Sequence, residues 1–350
     1  MTRSAFFAAL FQVICFMTGP ASAQDPASYR ILRFEELKGW ESDNHHVALQ
    51  VFLETCDVLR DPDWKTLCAL GAGVTDAKGF FERFFSPVLI TQNDDGALFT
   101  GYFEPELSGS PTRTERYRYP VYKMPPEARK QRPWLTRHQI ETTEILQGRG
   151  LEIAWVDDSV ELFFLQIQGS GRIRYPDGTV IRVGYGGANG HPYRSIGQEM
   201  VRRGIYNEHQ VSAQVIANWV RRNPAAGRAL LRFNDSYVFF REVSEVPPDK
   251  GPLGALNRSI TPMRSVAVDP KFTPLGAPVW LEKGGVSPIS RLMIAQDTGS
   301  AIKGAQRADL FIGTGDAAGR VAGKIKDRGR MLVLMPIQRA YALLSPDANS

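Results

Sequence analysis

The stretch AQDTGSAIKGAQRADLFIGTG, residues 295–315, combines glycine-rich turns with a short apolar run and carries two aspartates, Asp297 and Asp309. Short runs separated by glycines in this way are typical of strands in a compact β-barrel. Asp297 opens a D-T-G triplet, which is the form of the active-site turn of an aspartic protease. That chemistry needs two aspartates that share a proton, each from its own turn, whereas the chain has a single D-T-G preceded by the polar Gln296. The pattern therefore argues against a protease. It leaves open a plain turn in which Asp297 accepts hydrogen bonds from backbone N–H groups.

Asp309 stands in a different setting, because Ala308 precedes it and the apolar residues 310–312 follow it. Apolar surroundings disfavour a charged carboxylate and raise its pKa toward the range that a general acid needs. A strand aspartate that faces solvent is the alternative. A third acid, Asp269, lies in VAVDPKFTPLG, where Asp-Pro is a common turn opener. Three aspartates on successive strand–turn elements can converge in a small barrel, but their spacing does not establish convergence.

The pattern outside this stretch divides the chain into regions. Residues 24–90 are predicted to be mostly helical, since ALQVFLETC (48–56) and DAKGFFERFFSPVLI (76–90) have apolar residues at helical spacing. From about residue 97, short aromatic and β-branched segments predict strands. A third region, again of strands, is predicted to begin with SYVFFREV (236–243).

Within the middle region, VELFFLQIQGSGRIRY (160–175) is predicted as a strand. On a strand, Gln166 and Gln168 would share one face, which could line a groove or simply face solvent. Helices are predicted to begin near Thr136 and at Ser212, where hydroxyl side chains suit the first position.

Aromatic and amide side chains favour sugar recognition in GYFEPEL (101–107), FFLQIQGSGRI (163–173) and YGGANGHPYR (185–194). Flat apolar faces stack on sugar rings, and amides and hydroxyls bind their hydroxyl groups. Any one of these aromatic residues could instead belong to a barrel core. The candidate sugar-binding residues are Tyr102, Glu104, Gln166, Gln168, Gly169, Ser170, Asn189, Tyr193 and Arg194.

The composition restricts the class of ligand. The formal charge of +5 comes without a Lys/Arg block, so nucleic acid is not indicated. The glycine-rich loops lack the spacing of dinucleotide or P-loop motifs, which argues against a nucleotide. The histidines lack the spacing of zinc ligands, and we expect no metal or other cofactor.

The N-terminus has the pattern of a secretory signal peptide over residues 1–23. A basic start at Arg3 is followed by an apolar run over 5–17 and by Ala21-Ser22-Ala23, an A-x-A cleavage site before Gln24. A buried N-terminal helix is the alternative. A lipoprotein would need a small residue before Cys15, and Ile14 stands there. The sequence therefore predicts export to the periplasm in preference to an outer-membrane lipoprotein.

Two further cysteines, Cys56 and Cys68, lie in a segment predicted as two helices joined at Asp61-Pro62. In an oxidising compartment a disulfide between them would connect the two helices. Two free buried thiols are the alternative.

Several motifs in order resemble one family. They are TGYFEPEL, YPVYKMP, FFLQIQGSGRI, GYGGANGHPYRSIG, NRSITPMRSVAVDPKFTPLGAPVWLE and DTGSAIKGAQRADLFIGTGDAAGRVAGKIKDRGRMLVL, and they cover about residues 30–337. The chain is similar to the membrane-bound lytic murein transglycosylase A family, glycoside hydrolase family 102. Its C-terminal part resembles the "3D" domain, whose three aspartates match Asp269, Asp297 and Asp309.

The resemblance implies a mainly β protein with peripheral helices, in which a double-psi β-barrel carries a second, inserted small β-barrel and a groove lies between them. The domains expected on this basis are a helical segment over 24–104 that joins the double-psi barrel, an inserted barrel over 105–242, the 3D barrel over 243–340 and a flexible tail over 341–350. Peptidoglycan glycan strands are the implied partner. A monomer is expected, and complexes with other cell-wall enzymes are left open.

The resemblance also implies a reaction. The family cleaves the β-1,4 bond between N-acetylmuramic acid and N-acetylglucosamine without water, because the muramyl 6-hydroxyl attacks C1 and leaves a 1,6-anhydro product. Asp309 matches the acid/base and Asp297 the supporting acid, while Asp269 and Lys303 are candidate groove residues. A hydrolytic muramidase that uses both Asp309 and Asp297, and a non-catalytic wall-binding protein, are the alternatives.

Overall fold

The computed structural model describes residues 27–92 and 96–344, so the signal-peptide prediction and Cys15 lie outside the described residues. The strands are β1 (Ser28–Ile31), β2 (Phe85–Thr91), β3 (Ala97–Glu104), β4 (Glu106–Ser110), β5 (Tyr119–Tyr122), β6 (Glu152–Val156), β7 (Gly171–Arg174), β8 (Val180–Ala188), β9 (Val238–Glu242), β10 (Ser265–Val268), β11 (Pro278–Lys283), β12 (Ile289–Thr298), β13 (Arg307–Thr314) and β14 (Lys326–Pro336). The α-helices are α1 (His45–Leu53), α2 (Pro62–Gly71), α3 (Ala77–Phe84), α4 (Pro126–Lys130), α5 (Arg137–Thr143), α6 (Ser159–Gln168), α7 (Ile196–Arg202), α8 (Ala213–Arg222), α9 (Pro224–Leu231), α10 (Gly315–Ala322) and α11 (Ile337–Ala342).

Six strands close into a barrel in the order β14-β11-β12-β10-β13-β3. The long β14 closes it, because one edge pairs with β11 while its other edge pairs first with β3 and then with β2. The β10–β12 and β13–β3 pairs are parallel, and the remaining pairs of the closed barrel are antiparallel. The barrel interior is apolar and includes Phe99, Val266, Val268, Ala308 and Leu310. Since side chains alternate along a strand, the residues between these, among them Asp309, face outward.

The N-terminal helices α1 to α3 pack on one outer side of this barrel, where Trp40 meets Trp280 with ring centroids 5.0 Å apart. The predicted disulfide is confirmed, and it joins Cys56, after α1, to Cys68 in α2. The helix predicted over 76–90 is wrong in its second half, because α3 ends at Phe84 and β2 begins at Phe85. Pro87 explains the change, since it cannot donate in a helix and it disfavours the helical conformation of the residue before it.

A second sheet of six strands has the order β5-β6-β4-β7-β8-β9, and a bridge between Lys123 and Phe240 connects its ends. Its core contains Val121, Ile173 and Val183, among other buried apolar residues. The segment 236–243 was predicted to open the C-terminal region, but it forms β9 and pairs with β8 in this second sheet. The predicted architecture of two β-domains with peripheral helices is confirmed.

The predicted strand over 160–175 is wrong, because most of it is helix α6 and only residues 171–174 form a strand, β7. Asp158 caps the helix by accepting from the N–H groups of Val160 and Glu161, and Gly169 ends it at φ +79°. Both are ordinary helix boundary signals, so the uninterrupted apolar run was misread. The predicted helix starts are confirmed, with Thr136 and Ser212 as the capping residues of α5 and α8.

Helix α11 reaches Ala342, which is two residues into the predicted flexible tail, and residues 345–350 of that tail lie outside the described residues. Within residues 27–92 and 96–344, none of the helices is both long and apolar enough to span a lipid bilayer.

Candidate active site

A row of four residues crosses the outer face of the barrel. Asp297 on β12 and Asp309 on β13 both lie opposite Ala267 of the intervening β10, and Thr100 of β3 lies opposite Asp309 on its other side. Residues that lie opposite each other on adjacent strands point to the same face. The two carboxylates are therefore two strand spacings apart, or about 10 Å between their backbones, with Ala267 of β10 between their strand positions.

Asp309 is held by one hydroxyl group. Its Oδ1 accepts a hydrogen bond from Thr100 Oγ1 at 2.6 Å, and the side chain is half-buried. Burial raises the pKa of Asp309, and the hydrogen bond from Thr100 and the charge of Arg307 offset part of that rise. Within the described residues, Oδ2 of Asp309 has no hydrogen-bond partner, and it is not among the fully buried polar atoms that lack one. Asp309 therefore presents an accessible carboxyl oxygen.

Asp297 has more donors around it. Its Oδ1 accepts from the backbone N–H groups of Ala255 at 3.0 Å and Thr298 at 2.9 Å, and its Oδ2 accepts from Tyr102 Oη at 2.9 Å. Burial raises the pKa of Asp297 to about 6, and although the three hydrogen bonds oppose the rise, the charge of Asp309 adds to it. Tyr102 is itself raised in pKa by burial and by the Asp297 charge, so it stays a phenol that donates.

Both carboxylates line a groove of about 870 Å³ between the two β-domains. The barrel contributes Tyr102, Ala267 and the turn after Asp297 to one wall. The other wall comes from the first residue of α5, the C-terminal end of α6, β8 and β9, the loop after β8 and the loop before β9. The second wall contains Arg137, Gln166, Gln168, Gly169, Ser170, Tyr185, His191, Tyr193, Asn234 and Arg241. Amides, hydroxyls and aromatic rings thus face two acids across an open cleft, as a polar, stacking ligand requires.

Comparison with known proteins identifies this arrangement. A family model described as the MltA specific insert domain matches residues 98–241, and one described as the 3D domain matches residues 264–335. A protein of Vibrio cholerae called membrane-bound lytic murein transglycosylase A is 35% identical over 261 residues, which are 70% of this chain and 68% of that protein. The chain belongs to the membrane-bound lytic murein transglycosylase A family. The Escherichia coli K12 member is 34% identical over 256 residues, which are 69% of this chain and 66% of that member.

Solved structures of the lytic transglycosylase family agree in fold. MltA of Neisseria gonorrhoeae superposes with a TM-score of 0.75 at 34% identity and covers 89% of this chain and 93% of its own. A membrane-bound lytic murein transglycosylase of Agrobacterium tumefaciens gives 0.80 at 29% identity, over 90% and 99%. Escherichia coli MltA with bound chitohexaose gives 0.71 at 26% identity, over 88% and 94%.

The groove of this transglycosylase family member contains many of the residues predicted from sequence. Besides Asp297 and Asp309, the structure places Tyr102, Gln166, Gln168, Gly169, Ser170 and Tyr193 on its walls. The two glutamines lie on helix α6 and not on the predicted strand, so they do not share a face. Gln166 is buried and accepts from Arg137, while Gln168 accepts from the backbone N–H of Phe103 at 3.2 Å.

Glu104 was predicted to bind sugar, and this prediction is wrong. The residue has 0% exposed surface and accepts from Arg172 at 2.9 Å and from Arg182 at 2.8 Å, with Thr314 donating a further bond at 2.8 Å. The two arginines belong to β7 and β8 of the inserted domain, so Glu104 joins the two domains through a buried ion-pair cluster. A carboxylate with no exposed surface cannot contact a sugar in the groove.

Asn189 and Asp269 are also wrong as groove residues. Asn189 is fully buried and donates to the carbonyls of Leu135 and Asp235, while it accepts from Tyr237 N. Asp269, 3% exposed, accepts from Lys271 N and from the backbone N–H of Gly304. Each is a short side chain that holds two loops together, which is the structural use of Asx residues.

Arg194 and Lys303 are exposed and lie outside the groove lining of the described chain. Arg194 pairs with Asp235 at 3.0 Å and lies over the ring of Phe233, with 5.3 Å to the ring centroid. Both predictions relied on polar residues in loops, and a loop sequence does not indicate which of its side chains line a groove.

Sequence reasoning missed Thr100, Arg307, Tyr185 and Arg241. Thr100 was inside a quoted motif, but its contact with Asp309 depends on the parallel pairing of β13 with β3. The two residues are 209 positions apart in sequence. Tyr185 was within the quoted loop 185–194 and is 58% exposed, which is unusual for an aromatic residue and marks a free ring face in the groove wall.

Proposed function

We propose that this chain is a lytic transglycosylase that cleaves the β-1,4 bond between N-acetylmuramic acid and N-acetylglucosamine in peptidoglycan, with Asp309 as its single acid/base. The observation that carries the proposal is the setting of Asp309, half-buried on the wall of the 870 Å³ groove with a raised pKa and one accessible carboxyl oxygen. A carboxylic acid that keeps its proton near neutral pH can protonate a leaving oxygen. Membership of the family, and a family member whose structure contains chitohexaose, support a glycan strand in the groove.

The reaction needs one proton donor and no water. The Asp309 proton passes to the glycosidic oxygen as the bond from that oxygen to muramyl C1 breaks. The resulting Asp309 carboxylate then accepts the proton of the muramyl 6-hydroxyl as its oxygen bonds to C1. The proton count balances, the carboxyl group returns to its starting form, and the product carries a 1,6-anhydro ring.

Asp297 supports this route better than the hydrolytic one. A glycosidase of the ordinary kind needs a second carboxylate as a nucleophile or to activate water. Asp297 instead accepts three hydrogen bonds from two backbone N–H groups and Tyr102. A carboxylate engaged on both oxygens is a fixed negative charge, and we assign it to stabilising the positive charge that develops at C1.

Sugar contacts follow from the groove walls. We assign stacking to Tyr193 and to the exposed ring of Tyr185, and hydrogen bonds to Gln168 and Ser170 at the end of α6. Gly169, at φ +79°, lets the chain turn there without a side chain between backbone and ligand.

We also propose that the chain acts in the periplasm after removal of residues 1–23. The signal pattern at the N-terminus and the disulfide Cys56–Cys68 support an oxidising compartment. The relatives are named membrane-bound. Mass spectrometry of the exported protein tests this proposal. A chain that begins at Gln24 would support it, whereas a chain that begins at a lipidated Cys15 would show a lipoprotein.

The test of the reaction is digestion of purified sacculi followed by mass spectrometry of the soluble muropeptides. We expect products that terminate in 1,6-anhydromuramic acid and are lighter by one water than hydrolytic fragments. Reducing ends in their place would establish a muramidase, and binding to sacculi without release of fragments would establish a non-catalytic wall protein.

A further inference from the structure

We infer that Arg307 acts through the Thr100 hydroxyl as a positioning pair that directs the acid proton of Asp309 to Oδ2, the carboxyl oxygen that faces the groove. The inference rests on the proposed function and concerns how the same carboxyl group is prepared for it. Three groups form a chain of hydrogen bonds in the outer face of the barrel. Arg307 Nη2 donates to Thr100 Oγ1 at 2.8 Å, and Thr100 Oγ1 donates to Asp309 Oδ1 at 2.6 Å.

Arg307 is fixed before it reaches Thr100. Its Nη1 donates to the backbone carbonyls of Ala308 at 2.7 Å and Leu98 at 3.4 Å, and the side chain is half-buried. Its guanidinium group therefore lies between β13 and β3, the two strands that carry Asp309 and Thr100. A guanidinium group can only donate, so the direction of the bond from Arg307 to Thr100 admits no alternative.

The direction of the first bond sets that of the second. A hydroxyl group has one hydrogen and two lone pairs. In Thr100 a lone pair accepts from the positive Arg307, which turns the hydroxyl hydrogen away from the guanidinium group. Asp309 Oδ1 is the acceptor that the described structure places at the other side of this hydroxyl. The hydroxyl hydrogen therefore points at Oδ1. If Oδ1 also carried the acid proton, two hydrogens would face and repel each other.

The acid proton of Asp309 is consequently left to Oδ2. Proton transfer to a glycosidic oxygen then starts from the accessible oxygen, and the same oxygen recovers a proton from the 6-hydroxyl group. The bond from Thr100 to Oδ1 persists through both steps and strengthens as Asp309 becomes a carboxylate, because hydrogen bonds to charged acceptors are the stronger ones.

The test compares Thr100→Val, Thr100→Ser, Arg307→Met and the double variant Thr100→Val/Arg307→Met on soluble glycan strands. We expect Thr100→Val to lower kcat roughly 10- to 100-fold, as the loss of a hydrogen bond to a charged group does, with KM within about twofold. Thr100→Ser restores most of kcat. Arg307→Met lowers kcat measured at its own pH optimum, and the double variant at its own optimum is no worse than Thr100→Val, because Arg307 positions the proton through the hydroxyl. The direct effect of the Arg307 charge on Asp309 shifts the pH limb and is removed by comparing optima.

The pH profile separates positioning from a merely structural role. Loss of the Thr100 hydroxyl removes a bond that favours the Asp309 carboxylate, so the alkaline limb of kcat shifts to higher pH in Thr100→Val. The limb has other contributors, because several charged or titratable groups face the same groove. They are Tyr102 and Asp297 on the barrel wall, and Arg137, Tyr185, His191, Tyr193 and Arg241 opposite. The charge of Arg307, which lies beside Asp309 but outside the groove lining, acts on the same carboxyl group. Every variant is therefore compared with the wild type over one pH range.

Thr314→Val is the matched control, because Thr314 also donates from a hydroxyl to a carboxylate, that of Glu104, but outside the groove. It is expected to leave the pH profile unchanged. If Thr100→Val does not fold, as judged by thermal unfolding, Thr100→Ser combined with Arg307→Met takes its place. Additive losses, or an unchanged limb in Thr100→Val, would overturn the inference. A wild-type chain that yields no anhydro products would instead contradict the proposed function.

Discussion

The two groove carboxylates, Asp297 and Asp309, lie opposite the same alanine of β10, on the two strands that flank it, yet their surroundings differ. Among residues 27–92 and 96–344, three donors reach Asp297 over both of its oxygens, whereas one donor reaches Asp309, on Oδ1. Burial raises the pKa of both. A carboxyl group that accepts hydrogen bonds on both oxygens is suited to remain charged, and one with an oxygen open to the groove is suited to transfer a proton. Residue type and burial alone would therefore assign these two acids the same role, and the count of donors separates them.

The largest expected effect is that of Asp309→Asn, which removes the proton donor but keeps the shape. We expect release of anhydro-muropeptides from sacculi to fall by about 10²- to 10⁴-fold, the usual contribution of general acid–base catalysis. Binding to sacculi should persist in a pull-down assay. The control is Asp316→Asn, at an exposed position of α10 outside the groove lining. Full activity in Asp309→Asn would show that Asp309 takes no part in the reaction.

Asp297→Asn should cost less, roughly 10- to 100-fold in kcat. The amide oxygen still accepts from the two backbone N–H groups, but the negative charge that we assign to C1 stabilisation is lost. Product masses should remain those of anhydro sugars. If Asp297→Asn abolished activity as fully as Asp309→Asn does, the two carboxylates would act as a pair, as in a muramidase.

Stability should depend on pH through Asp297. Its pKa of about 6 in the folded chain lies above the ordinary 3.8, so the folded state holds this proton more tightly than the unfolded state. The contribution is fully present below about pH 4 and is lost as pH rises through 6. The free energy of unfolding should therefore be measured in urea at pH 4.5 and 7.5 for the wild type and for Asp297→Asn. Between the lower and the higher pH, the difference between the two proteins should change by roughly 2 kcal/mol in favour of the variant. An equal gap at both values would contradict a raised pKa.

The smallest effect is expected for Tyr102→Phe, which takes one donor from Asp297. The hydrogen bond from Tyr102 lowers the pKa of Asp297, so its loss should raise that pKa further. We expect kcat to change by no more than about fivefold, because the two backbone donors remain. The pKa of Asp297 can be measured by following the NMR chemical shift of its carboxyl carbon as a function of pH. A lower pKa in Tyr102→Phe than in the wild type would show that the donors to Asp297 are misassigned.

Some of this could be read from the sequence, and physical reasons limit the rest. The apolar neighbours of Asp309 led to a prediction of a raised pKa, and the direction is right. The burial that raises it has another source, because Ala308 and Leu310 point into the barrel interior while Asp309 faces outward. The helix α6 was missed because an apolar run fits either a strand or a buried helix, although Asp158 and Gly169 marked its ends. The roles of Glu104 and Thr100 could not be predicted, because they depend on partners far away in sequence. The arginines of the inserted domain neutralise Glu104, and the parallel pairing of β13 with β3 gives Thr100 to Asp309. No local pattern contains either contact.

The central claim is that Asp309 transfers a proton out and back while Asp297 activates no water. Digestion of sacculi in water enriched in ¹⁸O, followed by mass spectrometry of the muropeptides, tests it most directly. We predict anhydro-terminated products that contain no ¹⁸O at the muramyl C1. Reducing-end products that carry one ¹⁸O atom would show that water attacks C1, and they would contradict this account.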